Sequence, residues 1–142
     1  MALTSFSIGR DTQVVVVGPN GRVDMTHVTA FESRQITHSV RVSRIDGTLL
    51  GAELPRGWEG GFEVDRGTPA LDDFIASIEQ KYFDNSSRAV STMYQYVNEP
   101  DGSTSTYQYD NVVFKLTNAG SWKGDAAVKQ KLEFFAARRR RI

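Results

Sequence analysis

The sequence has no cysteine among its 142 residues. That absence removes disulfide frameworks, thiolate zinc sites, iron–sulfur clusters and cysteine nucleophiles together. Histidine is nearly as scarce: only His27 and His38 occur, and neither has a carboxylate or a second histidine at ligand spacing. An excess of one charge is missing too. Seventeen Lys and Arg balance seventeen Asp and Glu, which excludes a strongly basic nucleic-acid binder as a description of the whole chain. No apolar run exceeds a few residues, Val14 to Val17 being typical, so no segment is long enough to span a bilayer as a helix. The opening Met1-Ala2-Leu3-Thr4-Ser5-Phe6 lacks the charged and apolar parts of a signal peptide. The expectation is a soluble protein without a membrane anchor, made in a cytoplasm.

Catalytic signatures are absent as well. The sequence contains no phosphate-binding glycine loop, nucleophile elbow or zinc-protease motif. Asp72 and Asp73 are adjacent, so they point in different directions around a helix and suit its dipole better than acid/base chemistry. The expectation is a protein that is not an enzyme, with no catalytic residue, no cofactor and no metal.

What is present is strand. Hydrophobic residues make up 39% and charged residues 24%, with four prolines; this is enough apolar surface for one folded domain spanning residues 1–142. Thr12 to Val17 is β-branched and apolar, a pattern for a strand buried on both faces. Gly18-Pro19-Asn20-Gly21 turns it back into Val23 to Thr29. Ile36, Val40 and Val42 then alternate with Gln35, Thr37, Ser39, Arg41 and Ser43, the period of a half-buried strand. Its polar parity fits either the wall of a water-filled channel or the solvent face of a sandwich. Asp46-Gly47 marks a turn, and residues 44–61 read as a long loop or arm because Gly51 to Gly61 is rich in glycine and proline. Phe62 and Val64 begin another short strand.

One amphipathic helix is expected over about residues 69–83. Thr68 caps it, Pro69 takes its first position, and Leu71, Phe74, Ile75, Ile78 and Tyr82 form one apolar face. Asp84-Asn85-Ser86-Ser87 stops it. Val90 to Val97 and Ser103 to Tyr109 form a hairpin about Glu99-Pro100-Asp101-Gly102, with Tyr94 expected opposite Tyr107. The apolar parity flips near Asp110-Asn111, from Tyr107 and Tyr109 to Val112, Phe114 and Leu116, which predicts a β-bulge or a break into a new strand. Val128, Leu132, Phe134 and Ala136 alternate with Lys129, Lys131 and Glu133 in a final strand.

Two features invite a partner. Leu49, Leu50, Leu54 and Trp58 are too apolar for an idle loop, and are candidate intersubunit contacts. Arg138, Arg139, Arg140 and Arg141 close a segment, residues 123–142, that carries seven basic and two acidic residues. They suit phosphate contacts, a solvated end that keeps a strand soluble, or intersubunit pairs with carboxylates. They too are candidate intersubunit contacts.

The run Tyr107-Gln-Tyr-Asp-Asn-Val-Val-Phe-Lys-Leu-Thr-Asn-Ala-Gly-Ser-Trp-Lys-Gly-Asp, followed by Val128-Lys-Gln-Lys-Leu-Glu-Phe-Phe-Ala-Ala-Arg-Arg, resembles the tail tube proteins of contractile-tailed bacteriophages. The order of hairpins, arm, one helix and further strands is similar over most of the chain. The resemblance implies a mainly β subunit, a sandwich or barrel with one flanking helix. It implies hexameric rings stacked into an inner tail tube of the virion, assembled in the host bacterial cytoplasm. It also implies sheath, baseplate and tail terminator partners, with tape measure protein and DNA in the lumen bound without sequence specificity. R-type pyocin and type VI secretion tubes share that architecture and leave effector delivery open. A monomeric β-sandwich binding module, using exposed tyrosines and the arginine cluster, is the alternative from another class.

Overall fold

A computed structural model describes residues 6–19, 21–23, 28–86 and 88–142. Its elements are β1 (Thr12–Gly18), β2 (Gly21–Val23), β3 (Val28–Ser43), β4 (Leu49–Asp65), α1 (Ala70–Asn85), β5 (Ser91–Asn98), β6 (Thr104–Asn118), β7 (Lys129–Ala136) and β8 (Arg138–Arg141). The strands are antiparallel throughout, in the order β2-β1-β5-β6-β7-β4-β3, with β8 laid on β6. The long β6 belongs to both halves. Residues 104–112 pair with β5 and residues 113–118 with β7, so the two halves meet in one core. The fold is mainly β, sandwich-like, with one flanking helix among the described residues.

The switch between halves is written in β6. Asn111 adopts φ 52, and the pairing with β5 slips between Ser91↔Val112 and Met93↔Tyr109. The extra residue is the bulge expected at Asp110-Asn111. It turns the buried set from Ser105 and Tyr109 to Val112, with Phe114 and Leu116 half-buried beyond it. In β7 the alternation is strict: Gln130, Leu132, Phe134 and Ala136 are buried and the residues between them exposed.

The core is aromatic. Phe134 stacks with Phe31 at 5.9 Å between centroids, tilts against Phe62 at 5.8 Å and meets Tyr109 edge-on at 5.6 Å. Phe62 and Phe31 stack at 5.3 Å. Helix α1 joins the cluster through Phe74, which packs edge-on to Phe114 at 5.5 Å, and through buried Leu71, with Ile75 and Ile78 half-buried.

The helix begins one residue later than its sequence suggests. Pro69 is the N-cap, and Ala70 N–H reaches Thr68 Oγ1 at 3.4 Å. Ser86, in the left-handed conformation at φ 56, ends it by donating its N–H to Tyr82 O at 2.8 Å. Asp72 does more than meet the dipole. It accepts from Arg66 Nε at 2.9 Å and from the buried Gln130 Nε2 at 2.8 Å, tying the helix start to β7.

Four expectations need correction. Strand β1 is covered on one face only: Val14 and Val16 are buried, whereas Val17 is 38% exposed. Tyr94 pairs with Gln108, not Tyr107, because the loop holds three residues rather than four. Gly102 at φ 91 follows a turn closed by Gly102 N–H to Glu99 O, and Glu99 N–H then bonds Ser103 O. This left-handed glycine bulge shifts the register by one. The return from Gly21 is short, β2 ending at Val23, and the chain resumes as β3 at Val28; Asn20, residues 24–27 (with His27) and Ser87 lie outside the described residues. Finally, residues 44–61, read as a long loop or arm, are strand from Leu49 onward.

Gly60 and Gly61 in β4 are there for close approach rather than for turning. A Cβ on Gly60 would fall onto Glu32 O, with Ser33 Cα at 2.8 Å, and one on Gly61 would lie 2.9 Å from Leu132 O. Glycine in a strand interior often marks such contact. Gly60→Ala is therefore expected to destabilise the fold by about 1–3 kcal/mol or more, the usual range for overpacking. Chemical denaturation measures this, and an unchanged midpoint would contradict it.

Candidate assembly surfaces

Strands β3 and β4 pair with each other over their full length, from Val28↔Val64 to Ser43↔Leu49. Only the inner part of the hairpin is packed. The β4–β7 ladder begins at Trp58↔Ala136, and Gly57 at φ 116 sits at a register slip between Ile36↔Gly57 and Thr37↔Pro55. Beyond that slip residues 37–56 are exposed on both faces, so Val40 and Val42 are not half-buried as their alternation suggests. Pro55 is tolerated because its strand has no second neighbour there.

The tip is a tight turn. Arg44 N–H donates to Thr48 O at 2.9 Å, Gly47 takes φ 88, and Thr48 N–H donates to Asp46 Oδ1. Along the shaft Glu53 accepts from Thr37 and Ser39 at 2.7 Å, and these hydrogen bonds hold its carboxyl below the ordinary value. The hairpin is thus an ordered projection carrying bare Ile45, Leu49, Leu50 and Leu54, of which Leu49 is 76% exposed.

Trp58 lies elsewhere. It is half-buried at the base of the projection, edge-on to Tyr109 at 6.4 Å, and under the Arg139 guanidinium at 4.9 Å. Arg139 also stacks on Tyr107 at 3.8 Å. A planar cation over aromatic faces is a stabilising contact. The four arginines form β8, pairing from Tyr107↔Arg141 to Asp110↔Arg138. Arg140 donates Nε and one terminal N–H to the Asp110 carboxylate at 2.7 and 3.2 Å, and Arg141 reaches Ser105 Oγ at 3.3 Å. The carboxylate that pairs with Arg140 is therefore in the same chain. Arg138 and Arg141 face outward. Nothing in the run of arginines marks it as a strand; only the small Ala136-Ala137 junction before it hints at a corner.

The Arg140 hydrogen bond holds Asp110 below the ordinary carboxylate value. A carboxyl depressed in the folded state stabilises above its unfolded pKa and loses that contribution as pH falls through the folded value. Stability should thus be flat near neutrality and fall below about pH 4, the ordinary aspartate range. Asp110→Asn should lose less between about pH 5 and 3 than the native chain, because its linked proton is gone. Urea midpoints across that range test this; parallel curves would contradict it.

A second exposed apolar area lies at the far end of α1. Ile78, Tyr82, Phe83, Ala89, Val113 and Phe114 line a groove of about 410 Å³, with Glu79 and Arg88 at its margin. Phe83 is 78% and Tyr82 52% exposed. Among the described residues no group of three or more His, Asp or Glu is placed to hold a metal. No helix among the described residues is long and apolar enough to cross a membrane.

No protein-family profile matches the chain, and no curated protein sequence does. Solved structures do match. One chain of the PVC sheath–tube complex, an extracellular contractile injection system in its extended state, superposes with a TM-score of 0.68 at 11% identity. The match covers 99% of this chain and 94% of that one. The chain has the fold of a contractile-injection-system subunit. A chain from the PVC sheath/tube terminator matches at 0.63 and 12% identity, over 92% and 93% of the two chains. One from the tube-terminating cap of the anti-feeding prophage matches at 0.61 and 10%, over 98% and 93%. At these identities the likeness is one of fold. It agrees with the resemblance to contractile tail tubes borne by residues 107–141.

Proposed function

We propose that the chain is a structural subunit that self-assembles into hexameric rings, which stack as the inner tube of a contractile tail or injection machine. The observation that carries this is the near end-to-end match, at a TM-score of 0.68, to a chain of a sheath–tube complex. The shape of the subunit supports it. A projecting apolar hairpin and an apolar groove are costly on a solitary soluble protein and ordinary on a subunit. The free outer edge of β3 likewise suits closure against a neighbour.

On this reading the partners are further copies of the chain, a sheath protein, a baseplate and a terminator. A tape measure protein and phage DNA occupy the lumen, the virion tail is the site of action, and the host cytoplasm is the place of assembly. No catalytic step enters. Because the neighbours are named as injection systems, a second cargo class, an injected effector, stands beside DNA. The terminator matches favour a further variant in which the chain caps a tube as one ring instead of repeating along it. Sedimentation velocity over a concentration series tests the proposal: species growing through a ring to long polymers are expected for a tube subunit, and growth that stops at one ring for a cap. A monomer at every concentration would overturn both.

A further inference from the structure

The two exposed apolar surfaces are separate on the subunit, and their charges differ. Beyond Thr37↔Pro55 the hairpin has six pairs, ending at Ser43↔Leu49, roughly 20 Å at about 3.3 Å per residue, and then the turn of residues 44–48. Among the described residues it pairs only within itself. Its cations Arg41, Arg44 and Arg56 take part in no ion pair among the described residues. Helix α1 is acidic, with Asp72, Asp73, Glu79 and Asp84 against Lys81. Asp73 and Glu79 are exposed and likewise in no ion pair among the described residues. Glu79 and Arg88 both border the apolar groove; counting Asp46 and Glu53 on the hairpin and Arg88 at the groove, the hairpin stays net basic and the helix with its groove net acidic.

Resting on the self-assembly reading, we propose that the hairpin tip of one copy docks in the groove at the end of α1 of a second copy. Ile45, Leu49 and Leu50 cover Tyr82, Phe83 and Val113, while Arg44 lies against Glu79. Apolar burial supplies the affinity, and the opposed charges set orientation and rate of encounter. Like charges would meet if the hairpin docked on β8, where Arg138 and Arg141 face outward, so the acidic helix is the complementary address. The contact is heterologous, since hairpin and groove are different patches, and such contacts build rings or filaments rather than closed pairs.

The absence of native cysteine gives a clean test. Leu49→Cys and Phe83→Cys, both at exposed positions, are made in separate chains, one carrying a mass tag. They are mixed with native chain, assembled, and treated with a short bismaleimide. A tagged–untagged cross-link between positions 49 and 83 is expected at several-fold the yield of a control pair, Leu49→Cys with Lys129→Cys. Polymers that form normally but give no 49–83 product above the control would overturn the docking proposal and leave the tube reading standing. Failure of the native chain to assemble under any condition would overturn both.

Discussion

Replacing residues 37–56 by an Asn-Gly turn should give a folded chain that no longer polymerises. The cut falls where the hairpin leaves the body, at the Ile36↔Gly57 pair, so a two-residue turn closes the shortened hairpin in register. Everything removed is exposed and pairs only within the hairpin, whereas Trp58, Phe31 and Phe62 remain in place. The unfolding midpoint should therefore stay near the native value, and the far-ultraviolet spectrum should remain that of a strand protein. Assembly is expected to drop to undetectable levels, because bare Leu49, Leu50 and Leu54 are gone. Normal polymers from the shortened chain would remove the hairpin from the assembly mechanism. Loss of the fold would show that it contributes to the core.

Phe134→Ala should be the most damaging single substitution in the body. The side chain is 3% exposed and contacts rings from three other strands, Phe31, Phe62 and Tyr109. Truncating a buried phenylalanine costs about 3–5 kcal/mol, the lost transfer energy adding to the cavity left behind. Domains of ordinary stability have only about 5–15 kcal/mol in total, so the variant should unfold at much lower denaturant and express poorly. Phe83→Ala on the exposed groove is the matched control and should leave the monomer unchanged. Equal midpoints for Phe134→Ala and the native chain would contradict the placement of the core.

The parts legible in the sequence are those fixed by local rules. Period-two alternation located β7, helical spacing with Pro69 and the acidic first turn located α1, and the parity flip at Asp110-Asn111 located the bulge. The parts misread depend on contacts between distant residues. Glycines at 57, 60 and 61 look like loop formers until β3 and β7 are seen pressing on them from either side. Val40 and Val42 alternate as a half-buried strand does, yet they are 37% and 51% exposed. That alternation is consistent with cover supplied by another copy. Trp58 stood with the apolar loop residues in the sequence, and only the pairing of β8 with β6, which brings Arg139 over its ring, shows that its partners lie in the same chain. Four adjacent arginines carry no strand signal, so their ladder with residues 107–110 and the Asp110 partner were out of reach of any local pattern.

Electron microscopy of the purified chain at high concentration tests the central claim most directly. Hollow tubes of constant diameter, or rings of six subunits at lower concentration, are expected, with the hairpin of each copy ordered on its neighbour. Particles that remain single 15.8 kDa subunits at every concentration and salt condition would contradict it.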